Sequence, residues 1–432
     1  MRNSRVWRDL LGVEKTIVDD VVFDAEDQQL VVSVRPIKAA RDRCGLCRRR
    51  SPRYDGGGGR RRWRGLDFGT GMVWLEAEAP RVSCRSHGVV VASVPWARHG
   101  AGHSYAFDAT AAYLATQAAK SMVVELLRVA WRTVGSITAR VFADLDATSN
   151  RLDGLRRIGI DEVSYKRGHK YLIVVVDHDR RALVWAAPGR DKATVAAFFD
   201  ELGPDRCALI THVSADGAAF IADVVADKCR HAVQCADPFH IVSWATDALD
   251  EVRRQVWNEA RTMARAEPRR PRGRPRADAP PRPASELAGH IKGARYALWK
   301  NPEKLTGHQA QRLAWIATTS PKLHRAYLLK EGLRLVFQMG YDDAVTALEK
   351  WLIWARRCQI PAFITLAAKI TRHRVRILAA IEHNLSNALI ESTNTKIRLI
   401  TRKAYGFQSP DALIALAMLT LGPTQPALPG RQ

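Results

Sequence analysis

The sequence predicts a multidomain protein of the α+β class, and three observations support this prediction. Its 432 residues exceed what one compact core usually holds. The first hundred residues are rich in strand-like and loop-like runs and carry cysteines spaced for a metal ion. Strand-like and helix-like runs alternate over residues 151–242, and residues 243–377 are mostly helical. The predicted domains are therefore 1–100, 101–150, 151–242, 243–377 and 378–422, with a tail at 423–432.

The first predicted domain contains a candidate zinc site. Cys44 and Cys47 form one pair with two residues between them, and Cys84 and His87 form a second pair with the same spacing. Two such pairs supply the four ligands of a tetrahedral structural zinc ion. Two alternatives remain open, namely that the pairs hold no metal, or that a nearby histidine replaces His87 as the fourth ligand. The candidate replacements are His99 and His103.

Residues 101–150 predict three helices joined by very short connections. In the third, Val134, Ile137 and Val141 recur at a helical spacing and are expected to face a core. This arrangement is typical of a helix-turn-helix whose third helix contacts DNA, although small three-helix units also occur without DNA binding. The outward positions expected to contact DNA are Arg132, Thr133 and Arg140.

Residues 151–242 predict a ribonuclease H-like α/β core. The runs "RIGIDEVSY", "KYLIVVVDHD" and "RALVWAAPG" are strand-like and separated by tight polar turns. A helix, a fourth strand, a second helix and a fifth strand follow. Three antiparallel strands followed by alternating helix and strand is the order expected of that fold. The core is predicted to resume at 378–422, after a helical insertion interrupted by an Arg/Pro-rich loop at 265–283.

Two aspartates follow apolar runs of this core and are candidate catalytic residues. Asp161 lies in the first strand and Asp216 ends the fourth, and these strands are neighbours in a ribonuclease H-like sheet. Glu391, on a later amphipathic helix, is the candidate third acid. The three carboxylates are predicted to hold two Mg²⁺ or Mn²⁺ ions for phosphoryl transfer. The alternatives are a strand-end ion pair for Asp161 with Lys166 or Arg190, a helix cap for Asp216, and a surface pair for Glu391.

The helix that bears Glu391 is strongly basic on its polar face. A carboxylate there would repel DNA unless a cation lay between them. Asp237 and His240, after the fifth strand, are interpreted as supporting groups, with a phosphate contact for His240 as one alternative and a structural role for the pair as another. The basic residues of the helix that are expected to bind phosphates are Lys396, Arg398, Arg402 and Lys403.

The charge of the chain predicts a polyanionic partner. The net charge is +23, and the Arg/Pro-rich stretch carries seven arginines against two acids, so +18 remains without it. A GxSxG nucleophile elbow and a P-loop are both missing from the sequence, which argues against a serine hydrolase and an ATPase. No apolar run is long enough for a membrane helix, and no signal-peptide core begins the chain, so a cytoplasmic protein is expected.

These segments together resemble the DDE transposases of bacterial insertion sequences, and most closely the group called the ISL-three family. The resemblance rests on "CGLC" and "CRSH", on "IGIDEVSYKRGHKYLIVVVDH", "HVSADGAAFIADV" and "CADPFHIV", and above all on "LSNALIESTNTKIRLITRKAYGF". It implies that Asp161, Asp216 and Glu391 are the catalytic acids. It also implies binding to terminal inverted repeats, strand cleavage, and attack of the freed 3′-hydroxyl on target DNA.

The resemblance further implies a homodimer or larger assembly on DNA, because two element ends must be held together. Two other functions stay open from the sequence. One is a transposase-derived regulator that binds DNA without cutting it. The other is a ribonuclease H-like nuclease that recognises branched DNA by its structure.

Overall fold

The computed structural model describes residues 2–216, 218–267 and 282–431. The predicted Arg/Pro-rich loop at 265–283 lies for the most part outside these residues. Within the described part of the chain, no helix has both the length and the apolar character needed to cross a membrane.

The described residues form sixteen α-helices and twelve β-strands. The helices are α1 (Arg2–Leu10), α2 (Tyr105–Gln117), α3 (Lys120–Leu127), α4 (Trp131–Thr148), α5 (Lys192–Leu202), α6 (Pro204–Cys207), α7 (Ala219–Lys228), α8 (Pro238–Ala266), α9 (Pro283–Gly293), α10 (Arg295–Trp299), α11 (Gly307–Thr319), α12 (Pro321–Val336), α13 (Tyr341–Arg357), α14 (Pro361–Glu382), α15 (Ala388–Lys403) and α16 (Pro410–Leu421). The strands are β1 (Thr16–Asp24), β2 (Gln29–Pro36), β3 (Arg53–Asp55), β4 (Arg60–Arg64), β5 (Met72–Glu78), β6 (Arg81–Cys84), β7 (Gly88–Val91), β8 (Arg157–Lys166), β9 (Lys170–Asp177), β10 (Ala182–Pro188), β11 (His212–Ala215) and β12 (Val233–Ala236).

The N-terminal part contains two small sheets. Four strands pair in the order β1-β2-β5-β4, and their buried face packs around Trp63 and Trp96. The other sheet has the order β3-β6-β7, and Cys84 ends its central strand. The strands of this second sheet have only three or four residues. Such a small sheet needs stabilising interactions beyond its own backbone hydrogen bonds.

Helices α2, α3 and α4 form the predicted helix-turn-helix. Val134, Ile137 and Val141 of α4 are buried in a core shared with α2 and α3, as their spacing predicted. Leu419 of α16 enters the same core. The helix-turn-helix is therefore packed directly on the last helix of the chain.

The central sheet has five strands in the order β10-β9-β8-β11-β12. β8, β9 and β10 are antiparallel neighbours, whereas β11 pairs parallel to both β8 and β12. This is the order predicted for a ribonuclease H-like core, and that prediction is confirmed.

Both faces of the central sheet are covered by helices. On one face, Ile158, Ile160 and Val175 of the sheet pack with apolar residues of α5 and α7. On the other face, Val163 and Val174 pack with apolar residues of α15 and α16. The chain thus returns from the insertion to complete the core with α15 and α16.

The insertion is an all-helical unit built on α8 to α14 with its own apolar core. Its predicted limits at 243 and 377 fall inside α8 and α14, because both helices continue between the insertion and the sheet. Near Pro361 the helical chain is interrupted, since α13 ends at Arg357 and α14 begins at Pro361. The four cysteines outside the zinc motif are all buried, and they are Cys207, Cys229, Cys235 and Cys358.

Candidate active site and nucleic-acid interface

The parallel pairing of β8, β11 and β12 brings three aspartates into one row. Ala215 of β11 is in register with Ile160 of β8 on one side and with Ala236 of β12 on the other. Neighbouring strands lie about 4.8 Å apart, so the residues that follow these three are neighbours as well. The residues in this row are Asp161, which lies within β8, and Asp216 and Asp237, which directly follow β11 and β12.

Helix α15 lies across the face of the sheet that bears Asp161. Ile390 and Ile397 are fully buried between the helix and the sheet. From the same side of the helix, the amide nitrogen Nδ2 of Asn394 donates a hydrogen bond of 2.7 Å to Oδ2 of Asp161. The backbone N–H of Glu162 donates to Oδ1 of Asp161 at 2.8 Å. Both oxygens of this buried carboxylate are therefore held in place.

Glu391 lies one turn before Asn394 on α15 and contacts a second part of the row. One ligand atom from each of Glu391, Asp237 and His240 lies within 4.8 Å of the other two. His240 Nδ1 is 2.7 Å from Oδ2 of Asp237, and the backbone N–H of Asn387 donates to Oδ1 of Asp237 at 3.4 Å. Asp237 also caps α8 by accepting from the N–H groups of its first turn.

The predicted acids are thus arranged in two adjoining groups. Asp161 lies with Asp216, whose charge contributes to raising the pKa of Asp161. Glu391 lies with Asp237 and His240. The charge of His240 opposes the rise in the pKa of both Asp161 and Glu391, so His240 lies near both groups.

The electrostatics of these carboxylates indicate a site for cations. Burial raises the pKa of Asp161 to about 7, with a further contribution from Asp216. Burial also raises the pKa of Glu391, with a further contribution from Asp237. Carboxyl groups gathered in a low-dielectric place resist ionisation, and a bound divalent cation removes that resistance.

The available donor atoms fit a hard divalent cation. Carboxylate and carboxamide oxygens are the ligands that Mg²⁺ and Mn²⁺ prefer, whereas the imidazole of His240 is a donor that Mg²⁺ seldom takes. The side-chain oxygens of Asn387 and Asn394 are buried and have no hydrogen-bond partner among the described residues. These two amide oxygens are therefore free to serve as further metal ligands beside the acids.

The structure also tests the non-catalytic alternatives for each acid. Arg190 pairs with Glu162, on the opposite face of β8, and so it does not neutralise Asp161. Asp216 does stabilise the turn before α7, because its Oδ1 accepts from the N–H of Ala218 at 3.0 Å. Within the residues that the structure describes, Glu391 forms no ion pair with a lysine or arginine.

The structure brings two further residues, Asp237 and Asn394, next to the predicted acids. The sequence favours a supporting or structural role for Asp237 and predicts no role for Asn394. A repeated pattern could have identified Asp237, because "HVSAD" and "QCAD" both end an apolar strand in Ala-Asp. Asn394 carries no comparable pattern, since its contact with Asp161 depends on how α15 lies on the sheet.

The four predicted zinc ligands lie together. Cys44 Sγ is 3.7 Å from His87 Nδ1, Cys84 Sγ is 3.6 Å from the same nitrogen, and Cys47 Sγ is 3.7 Å from Cys84 Sγ. Sulfur ligands about 2.3 Å from a tetrahedral zinc ion are about 3.7 Å apart, so the spacing fits zinc. Hydrogen bonds from the backbone of Ser86 and from His87 lower the pKa of Cys84 to about 6, which favours the thiolate that zinc requires.

His87, rather than either alternative histidine, completes this cluster of four. His103 instead stacks on Phe107, with 4.9 Å between the ring centroids, and lies 3.8 Å from the carboxylate of Asp108. His99 lies in a loop, and its imidazole ring packs near Gly45. The expected Cys₃His set is therefore the one that the fold assembles.

The predicted DNA-contacting residues differ in their surroundings. Arg132 is exposed, and Thr133 is half-buried at the start of α4. Arg140 is half-buried and forms an ion pair of 3.3 Å with Asp108, which is fully buried and also pairs with Arg98 at 3.2 Å. Arg140 thus takes part in the structure of the helix-turn-helix. The four basic residues of α15 are exposed, and these are Lys396, Arg398, Arg402 and Lys403.

Comparisons with known protein families match three successive parts of the chain. Residues 40–87 match a family described as the zinc-finger of transposase IS204/IS1001/IS1096/IS1165. Residues 92–141 match the helix-turn-helix domain of transposase family ISL3. Residues 158–417 match a family described as "Transposase". A zinc ribbon, a helix-turn-helix and a transposase core in this order define a DNA-binding transposase of an insertion sequence.

Two curated relatives agree with this class. The chain is 60% identical over 436 aligned residues to the transposase for insertion sequence element IS1557 of Mycobacterium tuberculosis, which covers 100% of this chain and 98% of the relative. It is 28% identical over 293 residues to the transposase for insertion sequence element IS1001 of Bordetella parapertussis, which covers 67% and 66% of the two chains. The chain belongs to the ISL3 family of insertion-sequence transposases.

Proposed function

We propose that the protein binds the terminal inverted repeats of its insertion sequence and catalyses cleavage and transfer of the element's DNA strands. The observation that carries the proposal is the row of Asp161, Asp216 and Asp237 at one edge of the sheet, met by Glu391 from α15. In the first step, the oxygen of a water molecule bonds to a phosphorus at the element end. The bond from that phosphorus to the 3′-oxygen breaks, the water loses a proton to solvent, and the leaving 3′-oxygen takes up a proton and becomes a hydroxyl. In the second step, the oxygen of the freed 3′-hydroxyl bonds to a phosphorus of the target and loses its proton to solvent. The bond from that phosphorus to the target's own 3′-oxygen breaks, and this oxygen takes up a proton and leaves as a 3′-hydroxyl.

Asp161, Asp216 and Glu391 are the catalytic residues in this proposal. They would hold two divalent ions, Mg²⁺ or Mn²⁺, with Asp237 next to Glu391 as a further ligand. Such ions, when bound, activate the attacking oxygen and stabilise the leaving one. Asn394 fixes the orientation of Asp161 through its 2.7 Å hydrogen bond, and His240 balances the negative charge of the acids on both sides.

The other parts of the chain position the DNA. The zinc-binding domain at 1–100 and the helix-turn-helix at 101–150 would recognise the repeat, with Arg132, Thr133 and Arg140 on the latter. The basic side chains beside Glu391 on α15 would hold phosphates of the strand to be cut. Two ends would be held by a homodimer or a larger assembly, acting in the cytoplasm at the nucleoid.

A cleavage assay with the full chain tests this function. The substrate is a duplex that joins one end of the element to its flanking DNA, and the controls are a scrambled end and a four-way junction. We expect Mg²⁺- or Mn²⁺-dependent cutting at the element boundary only. Binding to the end without any cutting would instead show a regulator. Cutting of the junction in preference to the end would show a nuclease that recognises DNA structure.

Replacing Asn394 by Ala tests the positioning of Asp161. The cleavage rate is expected to fall about 10- to 100-fold, because a group that orients a metal ligand is lost. The Mn²⁺ concentration for half-maximal cutting should rise, whereas affinity for the element end should not change. Thr395→Ala, on the exposed side of the same turn, is the matched control. Equal rates and equal Mn²⁺ dependence in the two variants would contradict the assigned role.

A further inference from the structure

A cavity lies between the helix-turn-helix and the helix that bears Glu391. Its volume is about 320 Å³, within the range of pockets that bind small molecules. Five helices line it. The end of α2, the start of α3 and the first half of α4 form the side that belongs to the helix-turn-helix. The last half of α15 and the end of α16 form the opposite side. The cavity thus joins the predicted recognition helix to the catalytic helix.

The charges that line this cavity have one sign. Lys120, Lys396 and Lys403 contribute three ammonium groups, and no aspartate or glutamate is among the lining residues. The remaining surface is mainly apolar, with Leu399 and Phe407 among its contributors. A basic cavity with apolar walls matches a ligand that carries both an anionic and an apolar part.

Of the three lysines that line the cavity, Lys120 has the surroundings that least favour a positive charge. Burial lowers the pKa of Lys120, and no neighbouring acid offsets that effect. Its ammonium group lies 4.8 Å from the centre of the Trp131 ring and beside the backbone of Gly135. A half-buried cation that is held by an aromatic face alone lacks its counter-ion, and a phosphate supplies one.

The residue at position 135 keeps this cavity open. Gly135 lies in the second turn of α4, inside the helix, where glycine costs helix stability relative to alanine. A Cβ atom there would meet only the Nζ atom of Lys120, at 3.6 Å. A side chain at this position would therefore start beside the ammonium group of Lys120, at the wall of the cavity.

We propose that this cavity binds one nucleotide of the element-end DNA, with its phosphate on Lys120, Lys396 and Lys403 and its sugar or base against the apolar wall. This inference rests on the proposed function, since it requires the chain to bind element ends. The site would fix the register between the DNA held by the helix-turn-helix and the strand presented to Glu391.

Two variants of the full chain test the site by different routes. Lys120→Ala removes the charge, and Gly135→Leu fills the cavity while it favours the helix. The matched control is Lys192→Ala, which removes an exposed lysine from α5 on the other face of the sheet. Affinity is measured by fluorescence anisotropy with a labelled element-end duplex over a range of salt concentrations. Circular dichroism and thermal unfolding establish that each variant is folded.

For Lys120→Ala we expect affinity to fall on the order of tenfold and the salt slope to fall by about 0.9, as for the loss of one phosphate contact. Gly135→Leu should weaken binding at least as much, whereas Lys192→Ala should bind like the wild type. Equal affinity of all three variants, in a protein that still binds and cuts the element end, would overturn this inference alone. If the wild type does not bind the end, the proposed function itself fails.

A third measurement separates DNA from a free anion. Inorganic phosphate and deoxyadenosine monophosphate are added to the wild type and to Lys120→Ala, and thermal unfolding is followed. We expect little stabilisation by phosphate alone, because it makes no contact with the apolar wall. Stabilisation of the wild type by phosphate, together with unchanged DNA affinity of Lys120→Ala, would show a small-anion site and overturn the assignment to DNA.

Discussion

Replacing Glu391 by Gln is expected to abolish strand cleavage by the full chain, with a loss on the order of 10³-fold or more, because a metal-binding carboxylate is removed from the reacting centre. The substitution keeps the size and the hydrogen-bonding reach of the side chain. It removes one negative charge from a helix whose other charged residues on the same face are basic. Affinity for the element end without divalent ions should therefore stay the same or increase slightly, which distinguishes a catalytic loss from a binding loss.

The control for this experiment is Glu259→Gln, which neutralises an exposed acid on α8. Asp161→Asn should behave like Glu391→Gln. Asp237→Asn has particular value, because Asp237 stands in the same row as Asp161 and Asp216. If Glu391→Gln cuts normally while Asp237→Asn does not, the third catalytic acid is Asp237, and Glu391 has a lesser role.

Loss of the zinc cluster is expected to have the largest effect on the fold. Cys44→Ser should lower the zinc content from about one ion per chain to nearly none, as measured by elemental mass spectrometry. The three-stranded sheet should then unfold, because strands of three or four residues have little core of their own. Structural zinc sites contribute on the order of 10 kcal/mol to small domains, more than these strands can replace.

Hydrogen exchange measures this effect locally. Amides of residues 40–92 should lose protection in Cys44→Ser, while the central sheet should keep its protection because its two apolar faces are built from other residues. Cys358→Ala serves as the control, since this thiol is buried in the insertion, far along the chain from the cluster. Retention of the wild-type exchange pattern together with loss of zinc would contradict a structural role of the metal.

The order of the central sheet could be predicted from the sequence because each strand is a short apolar run with its own turn. The zinc ligands could be predicted because their spacing is local. The placement of Asp161 and Asp216 followed from apolar runs that end in an acid. The limits of the insertion have no local signal in the sequence, since α8 continues for 29 residues with one unbroken amphipathic pattern.

Two parts of the site depend on tertiary geometry. Asp237 is followed by proline, and that pair is typical of a helix start. Its place in the row of acids becomes visible only through the register of β11 with β12. Asn394 lies in contact with Asp161, 233 residues away in the sequence. No local pattern predicts such a pair, because it is set by the angle at which α15 packs on the sheet.

Helix α8 has a mechanical consequence for the enzyme. It begins at the acids, with Asp237 as its cap and His240 in its first turn, and extends for about 43 Å at 1.5 Å per residue into the insertion. The insertion then returns through α14, a few residues before α15 and Glu391. Both ends of the insertion are therefore anchored near the proposed catalytic acids. Because α8 is one long, rigid helix, a force that tilts the insertion would shift Asp237 and Glu391 relative to Asp161.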